Sequence, residues 1–137
     1  MSGFVLDAST TLAWCFDDET SMLVVDSILE RLNSEPAYVP SLWMLEIVNV
    51  LVLAERKQRI SYAKIIDFIE SLKVFDVRID NETSTRAFHE IINLAYTEKI
   101  TSYDATYLEL AMRLGLPLAT QDQQLQKTAT KLGVKIL

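Results

Sequence analysis

Four acidic residues stand where a carboxylate is either costly to the fold or well placed to act. Asp104 opens a helix that the spacing of Tyr107, Leu108, Ala111 and Met112 predicts. Asp122 follows a short apolar strand, Leu118 to Thr120, and Asp7 ends another, Phe4 to Leu6. In a parallel α/β sheet, ligands bind outside the carboxyl ends of the strands. That places Asp7 and Asp122 at the reactive edge, and a helix start can turn Asp104 toward it. Glu46 is a different case. It sits in LWMLEIVNVLVLAER, a helix apolar nearly all round and therefore expected to be buried on most sides. A carboxylate there needs a cation, a hydrogen-bond network or a wet cleft. Each acid alone reads most simply as a cap or a paired charge. Four at one edge suit a hard divalent cation, Mg²⁺ or Mn²⁺, which prefers oxygen ligands. Such ions clamp phosphoryl oxygens and activate water for in-line displacement.

The elements that must hold these acids follow from periodicity and punctuation. Gly115 closes the Asp104 helix and Pro117 prevents its continuation. Ser9 or Thr10 caps a short helix through Trp14. Asp17, Asp18 and Glu19 cap a helix from Thr20 to Leu32 buried through Met22, Val25, Leu29 and Leu32, a role that fits them better than metal binding. Pro36 to Val39 reads as a short edge strand, and Ser41 caps the Glu46 helix, which runs to about Lys57. Ser61 caps a helix to Lys73, and Phe75, Val77 and Ile79 alternate as a strand. A helix from Asn81 or Thr83 to Tyr96 carries Phe88, Ile91, Ile92 and Ala95. After Asp122 come a last amphipathic helix, Gly133 and a strand from Val134 to Leu137. Strands alternating with helices predict a parallel sheet covered on both faces.

The 137 residues suffice for one domain with its own core, spanning 1–137. A net charge of −6 argues against a nucleic-acid binder unless bound metal neutralises part of it. One cysteine, Cys15, excludes an internal disulfide and points to a reducing compartment. The N-terminus lacks a basic region, and the run from Ile47 to Ala54 is too short for a bilayer, so a cytoplasmic protein is expected. His89 stands without a second His or Cys to make a transition-metal set, and no Gly-rich phosphate loop exists.

Taken in order, VLDAS at Val5 to Ser9, LEIVNVL at Leu45 to Leu51, YDATYLELA at Tyr103 to Ala111 and LPLATQDQQL from Leu116 resemble the PIN-domain ribonucleases, most closely the VapC-type toxins of toxin–antitoxin pairs. The resemblance covers the whole chain. It implies a three-layer α/β/α fold and Mg²⁺- or Mn²⁺-dependent hydrolysis of RNA. Asp7, Glu46 and Asp104 match positions that hold the principal ion, and Asp122 joins directly or through water. Thr120 and Ser9 match a hydroxyl position that orients a ligand or water. Gln123 and Gln124 occupy places where some relatives carry a further acid. The cut implied leaves a 5′-phosphate and a 3′-hydroxyl. A homodimer and an antitoxin whose basic tail covers the acids are also implied. Asn49, one turn from Glu46, either orients it and touches substrate or bonds within the helix bundle. Arg56, Lys57, Arg59 and Lys64 are candidates for phosphate contacts, or else a solvated turn. Two other readings compete. One is a non-catalytic binding module. The other is an aspartyl-phosphate phosphatase of the haloacid-dehalogenase type, which Ser9 disfavours because that chemistry needs a second Asp there.

Overall fold

The strand Phe4–Leu6 (β1) has no polar alternation, so it needs cover on both faces, and all three residues are buried. The computed structural model describes residues 1–16 and 22–137, so the Asp17, Asp18 and Glu19 cap cluster lies outside the described residues. From β1 the chain runs through α1 (Ala8–Ala13), α2 (Met22–Arg31), β2 (Ala37–Pro40), α3 (Leu42–Arg56), α4 (Tyr62–Leu72) and β3 (Val77–Asp80). Next come α5 (Thr83–Arg86), a π-helical turn (Ala87–Ile91), α6 (Ile92–Glu98), α7 (Ser102–Leu114), β4 (Leu118–Ala119) and α8 (Gln123–Lys131).

The strands form one parallel sheet in the order β3-β2-β1-β4. Phe4 pairs with Ala37, Val5 with Leu118, and Pro40 with Asp80. Helices cover both faces, which makes the three-layer α/β/α fold expected above. The core gathers β1, β2 and β4 against the buried side of α7, including Tyr107, Leu108 and Ala111. Gly115 ends α7 in the left-handed region at φ 67°, which a residue with a Cβ enters only at a cost.

Several expectations need correction. β2 is interior, between β1 and β3, and the end strands are β3 and β4. The flanking prolines mislead because Pro36 precedes the ladder and Pro40 ends it, where a missing N–H is tolerated. The final strand reduces to a single bridge, Leu118 to Ile136. The helix expected from residue 83 to 96 is interrupted by the π-helical turn, and Phe88 and Ile92 face outward. Met112 is exposed as well, whereas α2 buries Ile28 in place of Met22. Ser41 stands at the N-cap of α3 without donating or accepting a capping bond. The largest correction concerns α3 itself. It buries one stripe, Trp43, Ile47, Leu51 and Ala54, while Leu45 is 72% exposed and Val48, Val52 and Leu53 also face solvent. Its apolar surface thus exceeds what this chain covers.

Candidate active site

Each candidate acid is positioned by local structure. Asp7 follows β1 and occupies the N-cap position of α1 without capping it through its side chain. Its carboxylate is turned instead to hydroxyls: Oδ2 accepts from Ser9 Oγ at 2.8 Å and from Thr120 Oγ1 at 2.6 Å. Thr120 is fully buried just past β4, and the parallel pairing of β1 with β4 brings it across to Asp7. The same Oγ1 accepts from the Asp122 amide at 3.1 Å, and Ser9 Oγ accepts from the Gln121 amide at 3.0 Å. Gln126 Nε2 donates to the Thr120 carbonyl at 2.6 Å. The loop after β4 is therefore laced to the loop after β1.

Asp122 caps α8, its Oδ1 accepting from the Leu125 amide at 2.8 Å. Asp104 lies in the first turn of α7, which Thr101 caps through the Asp104 amide at 3.1 Å. Glu46 is carried by α3 one turn after Trp43. The Trp43 indole donates to Thr11 Oγ1 at 3.2 Å and ties α3 to α1. The Tyr107 hydroxyl donates to Glu46 Oε1 at 2.6 Å.

The electrostatics show how these acids meet. Burial pushes Asp7 above the usual carboxylate range, against the lowering effect of the Thr120 and Ser9 hydroxyls. Burial also raises Glu46, with the Tyr107 hydrogen bond opposing and the charges of Asp7 and Asp104 adding to the rise. Asp104 is pushed up to about 6, first by burial and then by Asp122 and Asp7. Charge thus couples Glu46 to Asp7 and Asp104, and Asp104 to Asp122 and Asp7. None of them is ion-paired among the described residues. A set of oxygen donors with unbalanced negative charge fits a hard divalent cation. Among the described residues, however, no three Asp, Glu, His or Cys side chains are grouped tightly enough to hold a metal ion as they stand. Ligation requires the carboxylates to draw together.

The remaining candidates divide. Ser9 and Thr120 join the site through Asp7. Asn49 is exposed on α3 and makes no hydrogen bond among the described residues, so it does not bond within the bundle. Arg56, Lys57, Arg59 and Lys64 are exposed around the α3–α4 turn, and Arg59 stacks over the Phe16 ring at 4.9 Å. Ten residues of helix separate Arg56 from Glu46, about 15 Å. His89 is exposed, and burial raises the Cys15 thiol. Ser9 hydrogen-bonds Asp7 where a phosphatase would need its acid. Sequence reasoning took Tyr107 only for core. The signal for more was its place three residues after Asp104, on the same helical face, since a buried tyrosine must find a hydroxyl partner.

The fold defines a class, an α/β domain with a parallel sheet and acids just past the carboxyl ends of its strands. The family model of the PIN domain matches residues 4–131, and the chain belongs to that family, whose members are generally nucleases. Among solved structures, PAE2754 from Pyrobaculum aerophilum is 24% identical, with a TM-score of 0.69 over 98% of this chain and 83% of that one. FitAcB from Neisseria gonorrhoeae is 17% identical, with a TM-score of 0.64 over 98% of this chain and 96% of that one. At these identities the likeness is one of fold. No curated protein matches the sequence. No helix among the described residues is long and apolar enough to cross a membrane.

Proposed function

We propose that this chain is a divalent-metal-dependent endoribonuclease and the toxin of a type II toxin–antitoxin pair. The observation that carries the reading is the set Asp7, Glu46, Asp104 and Asp122, in which Asp7 and Asp104 raise Glu46 and Asp122 and Asp7 raise Asp104, with no ion-paired cation among the described residues, in a member of the PIN family. Asp7, Glu46 and Asp104 would hold Mg²⁺ or Mn²⁺, with Asp122 joining directly or through water. When bound, the ion supplies charge neutralisation at the phosphodiester and a more acidic water. The chain's own residues do the rest. Thr120 and Ser9 fix the Asp7 carboxylate through Oδ2, and the Leu125 amide holds Asp122 through Oδ1. Asn49, exposed one turn beyond Glu46, is free to meet the substrate. The basic α3–α4 turn would contact flanking phosphates of a single strand that extends along α3.

The acidic edge also suits the basic tail of an antitoxin, and the outer face of α3 suits a protein surface, either that partner or a second copy. Purified protein incubated with single-stranded RNA and Mn²⁺ should yield fragments with 5′-phosphates, and EDTA should stop the reaction. Intact RNA under Mn²⁺, with cation binding retained, would favour the non-catalytic binding module instead.

A further inference from the structure

Three of the four acids are held by the chain through one oxygen each. Asp7 is held at Oδ2 by hydroxyls and Asp122 at Oδ1 by an amide. Glu46 is held at Oε1 by a phenol. Glu46 has the longest side chain of the set and the most rotamers to lose on being fixed. We propose that Tyr107 is the positioning residue for Glu46, occupying Oε1 so that Oε2 faces the cation. This rests on reading Glu46 as a metal-holding carboxylate.

Three observations support it. The Tyr107 ring is fully buried, so its hydroxyl cannot fall back on water, and Glu46 is its partner. At 2.6 Å the contact has the length of an O–H bond to a charged acceptor, stronger and more directional than a neutral one. Tyr107 also stands three residues after Asp104, so one face of α7 presents both an acid and the donor that fixes its neighbour on α3. The bond spans 61 residues of sequence and ties α3 to α7. Groups that orient ligands in this way change metal affinity by about tenfold to a hundredfold when removed.

Tyr107→Phe keeps the ring and deletes the donor. Calorimetry should show Mn²⁺ bound at least about tenfold more weakly than by the wild type, with urea unfolding in EDTA little changed. A phenol that merely satisfies the core would give the reverse, lower stability in EDTA with wild-type Mn²⁺ affinity, and that result would overturn the proposal. Should the variant fail to fold, a ring-fluorinated tyrosine at position 107 retains the hydroxyl. Its fluorine resonance should shift when Mg²⁺ saturates the protein, and an unmoved resonance with Mg²⁺ bound overturns the proposal equally. If the wild type itself binds neither ion, the metal reading fails first and this one with it. An unaffected Tyr107→Phe beside a binding wild type removes this inference alone.

Discussion

The molecule carries two concentrations of acid, and they are built on opposite principles. In the first, Asp7, Glu46, Asp104 and Asp122 are linked through charge with no ion-paired cation among the described residues, and three of them are pushed above the usual carboxylate range. In the second, Asp80, Glu82, Glu90 and Glu109 surround Arg86 and Arg113. Arg113 grips Asp80 with both amino groups at 2.8 and 3.0 Å and Glu109 at 2.9 Å, while Arg86 reaches Glu82 at 3.0 Å. That grip lowers the Asp80 pKa and raises that of Arg113. The second cluster is complete and joins the end of β3 to α7 and to the turn between α5 and α6. The first is held in shape by hydroxyls and amides that cannot cancel its charge. The same residue type serves structure where the chain supplies the counter-ion, and keeps an uncompensated charge where it does not.

The largest expected effect comes from breaking the complete cluster. Arg113→Met would strip Asp80 and Glu109, whose side chains are 12% and 7% exposed, of their closest counter-ion and leave only Arg86, 4.0 Å from Glu109. Removing one partner of a buried pair costs about 3–5 kcal/mol, which urea unfolding would measure. A loss below about 1 kcal/mol would place the cluster with ordinary surface pairs.

Asp104→Asn should behave in the opposite way. The amide is nearly isosteric and removes one of the mutually repelling charges, so stability in EDTA should hold or rise. Cleavage under Mn²⁺ should fall about a thousandfold, equivalent to about 4 kcal/mol of lost transition-state stabilisation. Cleavage at the wild-type rate under matched metal would remove Asp104 from the site.

Acid should separate the two regions by sign. Asp104 has a folded pKa of about 6, above its ordinary 3.8, so the fold binds that proton more tightly than the unfolded chain does. Its destabilising contribution therefore grows as pH rises through that interval and is complete above it. Asp104 is half-buried, so solvent moderates the size of the effect. Asp80 is lowered, so its stabilisation is present above the ordinary value and is lost as pH falls through the folded one. In EDTA, Asp104→Asn should flatten the fall in stability between pH 3.8 and about 6, and Asp80→Asn should remove part of the loss below it. Urea midpoints across that range, with identical profiles for wild type and Asp104→Asn, would show that Asp104 does not titrate there.

The first cluster was legible in the sequence and the second was not, for a physical reason. Asp7 and Asp122 each follow a short apolar run, and the Gly115–Pro117 stop fixes where the second run begins. Glu46 declares itself by being an acid among apolar neighbours. These are local signals, whereas Arg113 meets Asp80 across 33 residues, and only its pairing with Glu109, four residues away, had a sequence signature. Strand order was lost in the same way, since a crossover leaves no mark in a four-residue strand. The burial of α3 was misjudged because apolar periodicity reports a surface that seeks cover without saying whether the same chain provides it. Leu45 and Val48 belong to that surplus. Tyr107 was seen as an apolar ring, and its hydroxyl became informative only with Glu46 opposite.

The smallest expected effect tests whether the basic residues divide as the acidic ones do. Arg86 and Arg113 are committed to carboxylates, and Arg59 lies over Phe16. Lys57, at the C-cap of α3, and Lys64, in the first turn of α4, are exposed and not ion-paired among the described residues. If RNA runs from the acidic edge past this turn, these two lysines, together with Arg56, are available to displace counterions from its phosphates. Each single-strand phosphate contact contributes about 0.7 to the slope of log affinity against log salt. Lys57→Gln with Lys64→Gln should therefore make the slope shallower by about 1.4 and weaken binding by about tenfold near 0.15 M salt. Mn²⁺ affinity should not change, because neither side chain belongs to the acid group. The measurement is best made with Asp104→Asn as the background, so that the RNA stays intact while it binds. An unchanged slope would return the turn to solvent and leave the path of the RNA to be sought on another side of the acids.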